Sequence, residues 1–177
     1  MSLDGVCDHT VGVADDELHE HYSAQLRTCD AILYGRITYE LMEYWRPIAK
    51  NPTGNPAIDE FAVLMDRVPK IVFSHTLRNV DWDSATLARR TPQQEIMAFK
   101  KTHSQTDKQL FVGSPGLIAN LTELNLIDEY RLCVHPVIAG SGLKLFKHIS
   151  GQKNLQLTAT KTFRSGVVAL YYKPAPQ

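Results

Sequence analysis

The spacing of hydrophobic and polar positions predicts helices and strands that alternate over roughly two-thirds of the chain. Helices are predicted where apolar residues recur three or four positions apart, or where a capping residue precedes proline. These segments are residues 15–29, 38–44, 57–67, 92–103 and the stretch after Pro115. Strands are predicted where apolar runs are short, or where apolar and polar residues alternate. These segments are residues 31–34, 70–74, 85–89, 110–112, 127–134, 154–162 and 167–172.

This order of elements predicts an α/β fold. Strands separated by helices favour a mixed, largely parallel sheet covered by helices. The last two strands are joined through residues 163–166, and the glycine in that turn predicts an antiparallel C-terminal hairpin. Residues 47–56 contain three prolines, Gly54 and two asparagines, and we expect a surface loop there. With 177 residues, the chain is expected to form a single domain, residues 1–177.

Composition narrows the classes of partner. Hydrophobic residues make up 44% of the chain and charged residues 21%, as in an ordinary globular protein. The 19 basic and 19 acidic residues cancel, and no basic face stands out, so we expect no nucleic acid partner. No apolar run is long enough to cross a bilayer, so we expect no membrane association.

The cysteines and histidines predict neither a disulfide framework nor a metal site. Cys7, Cys29 and Cys133 are odd in number and widely spaced, which favours free thiols in a reducing compartment, the cytoplasm. His19 and His21 flank Glu20, but they lie on different faces of the predicted helix. Because no clear third ligand accompanies them, we expect no metal.

The stretch from Gly113 to Gly116 carries the clearest candidate chemistry. It follows a buried strand and leads directly into a helix, with Ser114 placed as a cap and Pro115 at the first helical position. Such a turn directs unpaired backbone N–H groups and the positive end of a helix dipole towards the edge of the sheet. The sequence therefore predicts a phosphate site here. The alternative is a helix start that binds nothing.

Two further strand ends offer similar groups. Residues 35–38 follow the strand at 31–34, and residues 74–78 follow the strand at 70–74. Open α/β sheets bind ligands outside the carboxyl ends of their strands. The glycines, hydroxyls, arginine and histidine of these turns together suit a ligand with several phosphates, such as a dinucleotide. Alternatively, each turn is only a polar loop or a cap.

Several motifs resemble the dihydrofolate reductase-like family. Residues 35–40, Gly-Arg-Ile-Thr-Tyr-Glu, resemble the Gly-Arg-x-Thr-aromatic-Glu signature of that family. Residues 126–132, 135–142 and 145–146 resemble the reductase domain of the riboflavin-biosynthesis deaminase-reductase and its stand-alone relatives. The resemblance covers nearly the whole chain. It implies a three-layer α/β/α dihydrofolate reductase-like fold.

The resemblance also implies that NADPH lies across the three turns. The first turn would contact the phosphates, the second would face the ribose 2′-phosphate of the adenosine half, and the third would hold the pyrophosphate. The residues implied are Gly35, Arg36 and Thr38 in the first turn, Ser74, His75 and Thr76 in the second, and Gly113, Ser114, Gly116 and Leu117 in the third.

The activity implied by the resemblance is an NADPH-dependent reduction of a small heterocyclic substrate. That substrate would be pteridine-like, or a ribosylaminopyrimidine precursor of riboflavin. Asp4 is the candidate proton donor because its loop is expected near the nicotinamide; the alternative is an ordinary turn aspartate beside Gly5. The family and the exposed edge of the hairpin favour a homodimer.

The chain departs from the family pattern in two places. Relatives often carry arginine where this chain has His75. Since a histidine gains its proton near neutral pH, we expect NADPH binding to tighten as the pH falls from about 8 to 6. Only Met1 precedes Ser2-Leu3-Asp4-Gly5, so the N-terminal strand of the family is expected to be truncated. The competing hypothesis is therefore a non-catalytic nucleotide-binding or structural homologue with an incomplete active site.

Overall fold

The computed structural model describes residues 1–12, 14–102, 109–147 and 149–176. Their contacts divide the chain into two compact units. One unit consists of Asp16–Leu117, and the other combines Met1–Asp15 with Ile118–Gln177. The single domain expected from the length of the chain stays a prediction.

The unit Asp16–Leu117 alternates helices and strands, as the pattern predicts. His103, the approximate predicted end of the helix that begins at Pro92, lies outside the described residues. The elements are α1 (Asp16–Leu26), β1 (Cys29–Gly35), α2 (Arg36–Met42), α3 (Trp45–Lys50), α4 (Pro56–Arg67), β2 (Lys70–Phe73), β3 (Ala85–Leu87), α5 (Pro92–Thr102), β4 (Gln109–Val112) and the beginning of α6 (Pro115–Glu123).

The four strands of this unit form one parallel sheet in the order β3-β2-β1-β4. In the register of β1 with its two neighbours, Gly35 lies beside Phe73 and Leu33 lies beside Val112. The carboxyl ends of β1, β2 and β4 therefore meet at one edge of the sheet.

An apolar core fixes the helices of this unit to its sheet. Tyr34 of β1, Phe61 and Met65 of α4, and Val72 of β2 are buried in one cluster. Burial of a side chain of this size contributes about 1.5–3 kcal/mol. Helix α4 begins where Asn55 Oδ1 accepts hydrogen bonds from the N–H groups of the second and third helical residues, at 2.9 and 3.3 Å.

One predicted loop is shorter than expected. The proline-rich composition of residues 47–56 predicts a loop throughout, but Trp45–Lys50 forms α3. Pro47 is the third residue of this helix, where the missing N–H would have had no partner within the helix. The prediction was therefore wrong for residues 47–50, because proline breaks a helix only beyond its first turn.

The other unit contains β5 (Tyr130–Val134), β6 (Leu155–Thr162) and β7 (Val168–Pro174). They form an antiparallel sheet in the order β5-β7-β6, with Gly166 at a φ of 81° in the turn between β6 and β7. The mixed α/β class and the C-terminal hairpin are thus confirmed. The strands form two separate sheets rather than one mixed sheet, because periodicity along a chain does not reveal which strands pair. Among the described residues, no helix is long and apolar enough to span a bilayer.

Candidate functional site

The three turns that the sequence predicts as a binding site all lie at the carboxyl edge of the parallel sheet. Strand β1 lies between β2 and β4, and neighbouring strands are about 4.8 Å apart. The chain leaves β1 to form β2 on one side, and it later returns to form β4 on the other side. Connections that diverge in this way leave a crevice above the strand ends, where open α/β sheets bind ligands.

A hydrogen bond joins the first turn to the third. The backbone N–H of Gly35 donates to Ser114 Oγ at 2.8 Å, and Ser114 is buried. Gly35 itself precedes α2 in an extended conformation. The Ser114 hydroxyl accepts this bond and keeps a proton that it can donate. The structure therefore brings the Gly35 and Ser114 turns together across the crevice.

The two glycines of the third turn differ in the space around them. A Cβ on Gly113 would lie 2.4 Å from Tyr34 Cε1, and Tyr34 is buried, so Gly113 is required by packing. A Cβ on Gly116 would meet no atom within 4 Å. Gly116 lies in the first turn of α6, where backbone N–H groups have no partner within the helix. Open space beside such groups suits an anion.

The remaining residues of the first and third turns are half-buried. Arg36 Nη1 contacts both carboxylate oxygens of Glu40, at 2.9 and 3.1 Å, one helical turn further along α2. An exposed pair at this spacing contributes only about 0.3–0.5 kcal/mol, so the guanidinium can exchange its partner for a phosphate. Thr38 and Leu117 are half-buried in α2 and α6.

The second turn is held by its own serine. Ser74 Oγ accepts hydrogen bonds from the backbone N–H groups of Thr76 and Leu77, at 3.1 and 2.9 Å. This local turn leaves the side chains of His75 and Thr76 exposed. Ser74 thus has a structural role that the sequence allows as an alternative, and the two residues after it face solvent.

Asp4 belongs to the other compact unit and is fully engaged there. Its carboxylate accepts hydrogen bonds from the Ser2 hydroxyl at 2.7 Å and from the N–H groups of Ala139 and Gly140 at 3.0 Å each. These bonds, with that of Ser2 the strongest influence, lower the pKa of Asp4 to about 2. A carboxylate with this pKa carries no proton at neutral pH. The geometry favours the structural alternative for Asp4 over the proton donor.

A polar cluster at the opposite, amino edge of the sheet was missed from the sequence. Lys70 is buried, and its ammonium group donates to the carbonyl of Met65, to that of Val68 at 2.8 Å and to Ser84 Oγ at 2.8 Å. The same group lies 3.9 Å from the centre of the Trp82 ring. Burial lowers the pKa of Lys70 to about 8. The sequence feature that could have revealed this cluster is a lysine at the first position of an otherwise apolar strand.

The structure also accounts for the paired histidines of α1. His19 is buried, with its ring edge-on to Trp45 and Phe61, whereas His21 Nε2 lies 2.8 Å from the side-chain amide of Gln25. Within the described ranges, no group of three or more His, Cys, Asp or Glu side chains is placed to hold a metal ion.

The fold is mixed α/β, with a parallel four-stranded sheet and a separate antiparallel three-stranded sheet. The structure of a putative riboflavin biosynthesis protein from Shewanella sp. PV-4 superposes with a TM-score of 0.70 at 18% identity, over 99% of this chain and 96% of that one. The profile of the RibD C-terminal domain matches residues 1–169, and the chain belongs to that family. The resemblance indicated by the motifs is confirmed.

Two other relatives illustrate the range of the family. The Bacillus subtilis protein YyaP is 34% identical over 147 residues, which cover 83% of this chain and 75% of YyaP. The deaminase/5-amino-6-(5-phosphoribosylamino)uracil reductase of Thermotoga maritima superposes with a TM-score of 0.64 at 16% identity. The match covers 98% of this chain and 54% of that bifunctional protein.

Proposed function

We propose that this protein is an NADPH-dependent reductase that transfers a hydride to a small heterocyclic substrate. One observation carries the proposal: the turns after β1, β2 and β4 share one edge of the parallel sheet, and Gly35 and Ser114 are hydrogen-bonded across the crevice between β1 and β4. A dinucleotide is long enough to contact all three turns. Membership of a reductase family supports the same chemistry.

The residues of the crevice fit a bound nicotinamide dinucleotide. The open space at Gly116 and the unpaired N–H groups of α6 would hold the pyrophosphate, and the Ser114 hydroxyl would donate to it. Arg36 and Thr38 would contact the phosphates from α2. His75 and Thr76, on the turn held by Ser74, would face the adenosine end.

When bound, NADPH supplies the hydride, so the chain contributes position and electrostatics. Asp4 is ionised and has hydrogen bonds to both of its oxygens, so we assign delivery of the proton to water. The family and the name of the Thermotoga maritima protein support a ribosylaminopyrimidine riboflavin precursor as the substrate. A pteridine-like substrate is the alternative that the dihydrofolate reductase-like motifs imply.

Titration with NADPH, followed by nicotinamide fluorescence, tests the binding step. We expect a dissociation constant in the micromolar range. A value of about 1 μM corresponds to a binding free energy of about −8 kcal/mol. Oxidation of bound NADPH is then followed with a panel of pteridines, ribosylaminopyrimidines and quinones. Binding without oxidation across the panel would favour the non-catalytic alternative, and no binding at tenfold higher concentration would contradict the proposal.

We also expect a homodimer. Strand β6 lies at the edge of its sheet, and all eight of its residues are exposed, including Leu155 and Leu157. A long exposed edge strand favours pairing with a second copy. Sedimentation equilibrium would contradict this expectation if it returned only the monomer mass. Cys7, Cys29 and Cys133 form no disulfide, and the cytoplasmic location inferred from the cysteines stays a prediction.

A further inference from the structure

The ring of Tyr34 lies against the backbone of the third turn. Tyr34 precedes Gly35, the last residue of β1. A Cβ on Gly113 would meet three atoms of the Tyr34 ring, Cε1 at 2.4 Å, Cδ1 at 3.1 Å and Cζ at 3.5 Å. The N–H of Gly113 also donates to the carbonyl of Leu33 at 3.1 Å. Strand β1 therefore holds the start of the third turn both by a hydrogen bond and by ring contact.

The position of the Tyr34 ring is set by the core rather than by the turn. Tyr34 is only 3% exposed and belongs to the buried cluster that includes Phe61, Met65 and Val72. A protein interior is packed as closely as an organic crystal, so a ring in it has little room to move. The contact with Gly113 thus fixes the turn relative to a rigid group.

The hydroxyl of Tyr34 takes no part in this contact. It donates to Met65 Sδ at 3.6 Å, and a thioether sulfur is a weak acceptor. Burial raises the pKa of Tyr34, so the phenol keeps its proton at every physiological pH. An acid–base role is therefore excluded, and any role of Tyr34 in binding depends on the shape and position of its ring.

A displacement of Gly113 would reach the groups that face the crevice. The next residue, Ser114, is buried and accepts a hydrogen bond from the N–H of Gly35 at 2.8 Å. Helix α6 begins one residue later, at Pro115. A binding site tolerates displacements of only about 0.5 Å in its donors. The ring of Tyr34 therefore controls where the Ser114 hydroxyl and the first turn of α6 lie.

We propose that Tyr34 is a positioning residue, whose ring sets the third turn through Gly113 and thereby the affinity for the pyrophosphate of the cofactor. This inference rests on the proposed function. If Tyr34 only filled the core, its truncation would lower stability and leave recognition of pyrophosphate unchanged. The two readings therefore differ in a measurable way, because positioning requires that Tyr34 and Gly113 act as one pair.

A double-mutant cycle tests the inference. Dissociation constants of the full chain for NADPH and for adenosine 2′-monophosphate, which has no pyrophosphate, are measured by calorimetry. The variants are Gly113→Ala, Tyr34→Leu, the combination of both, and the conservative Tyr34→Phe. Tyr34→Met, with its flexible side chain, replaces Tyr34→Leu in the cycle if the latter does not fold. The matched control is Phe61→Leu, which shortens a ring of the same cluster that contacts His19 of α1 and Trp45 of α3.

We expect Gly113→Ala to weaken NADPH binding about tenfold and that of adenosine 2′-monophosphate less than about twofold. Tyr34→Leu should weaken NADPH binding a few-fold, because the turn loses its support. The combination should bind NADPH at least about threefold more tightly than Gly113→Ala, because the shorter side chain makes room for the new Cβ. Tyr34→Phe, which keeps the ring, and Phe61→Leu should both retain the affinity of the natural protein.

Three results would overturn the positioning role alone. These are losses in Gly113→Ala and Tyr34→Leu that simply multiply in the combination, an equal loss of both ligands in either single variant, and an equal loss of NADPH affinity in Phe61→Leu. Failure of the natural protein to bind NADPH would overturn the proposed function together with this inference.

Discussion

The two edges of the parallel sheet differ in how their polar groups are satisfied. At the amino edge, all three donors of the Lys70 ammonium group have acceptors, and Trp82 Nε1 donates to Asp66 at 2.6 Å. At the carboxyl edge, the first turn of α6 faces open space at Gly116. The Lys70 ammonium group therefore has no donor left for a ligand, whereas the carboxyl edge still offers donors.

This difference separates groups that stabilise the fold from groups available for binding. A buried ammonium group is stable only when its N–H groups have hydrogen-bond acceptors. The hydrogen bonds of Lys70 meet this condition, and they help to connect α4, β2 and β3. At the carboxyl edge, by contrast, the open space at Gly116 leaves backbone donors of α6 available to a ligand. The following predictions test each side of this comparison.

The largest expected effect concerns Lys70 and pH. Burial holds the pKa of Lys70 at about 8, below its ordinary value of 10.5. Between these two pH values the unfolded chain binds more protons than the folded one, so the free energy of unfolding rises with pH. Relative to Lys70→Met, the natural protein should gain up to about 3 kcal/mol as the pH rises from about 8 to above 10. Below about pH 8 the difference should be flat.

Urea unfolding of both proteins across this pH range measures the difference. The control is Lys50→Met, which removes an exposed lysine at the end of α3 and should give no such rise. A difference between the natural protein and Lys70→Met that is independent of pH would show that the cage of carbonyls and the Trp82 ring fully replace water around the ammonium group.

The next largest effect is a difference in protein stability between alanine substitutions at the two glycines of the third turn. In Gly113→Ala the new Cβ would overlap the ring of Tyr34, whose hydroxyl contacts Met65 Sδ at 3.6 Å. We expect a loss of about 2 kcal/mol, typical of overpacking in a core. Gly116→Ala should keep or slightly raise stability, because alanine favours a helix by up to about 1 kcal/mol over glycine. Thermal unfolding of both variants gives the comparison, and equal losses would contradict it.

The same Gly116→Ala variant should lose cofactor affinity. Its Cβ would occupy the space that we assign to the pyrophosphate, and we expect NADPH binding to weaken about tenfold, or about 1.4 kcal/mol. Fluorescence titration beside the natural protein measures the loss. Unchanged affinity with unchanged stability would mean that the first turn of α6 binds no phosphate.

The local sequence pattern predicted most of the fold. The structural role of individual residues, in contrast, could be assigned only from the structure. The three turns follow from glycines and hydroxyls after apolar runs, and the parallel order brings them together. Sequence could not separate Gly113 from Gly116, because only the Tyr34 ring, distant in sequence, distinguishes them. Nor could it show that Asp4 is bound by the N–H groups of residues 139–140, more than a hundred positions away.

A smaller effect is expected from Asp4→Asn. If water delivers the proton, turnover of a substrate found in the panel should fall less than about threefold. The N–H groups of Ala139 and Gly140 donate to different oxygens of Asp4, so the single amide oxygen of asparagine replaces only one of these acceptors. We therefore expect the main cost of the substitution in the stability of this loop rather than in proton transfer. Measurement of kcat and KM across pH gives the answer. A loss of two or more orders of magnitude in kcat, with KM unchanged, would restore Asp4 as the general acid.

The smallest effect is expected from His75→Ala. The His75 side chain is exposed on the turn that Ser74 holds, where solvent and salt weaken any attraction for a phosphate. We therefore expect the affinity for 2′,5′-ADP to fall only a few-fold, measured by calorimetry beside the natural protein. Unchanged affinity would remove His75 from the site.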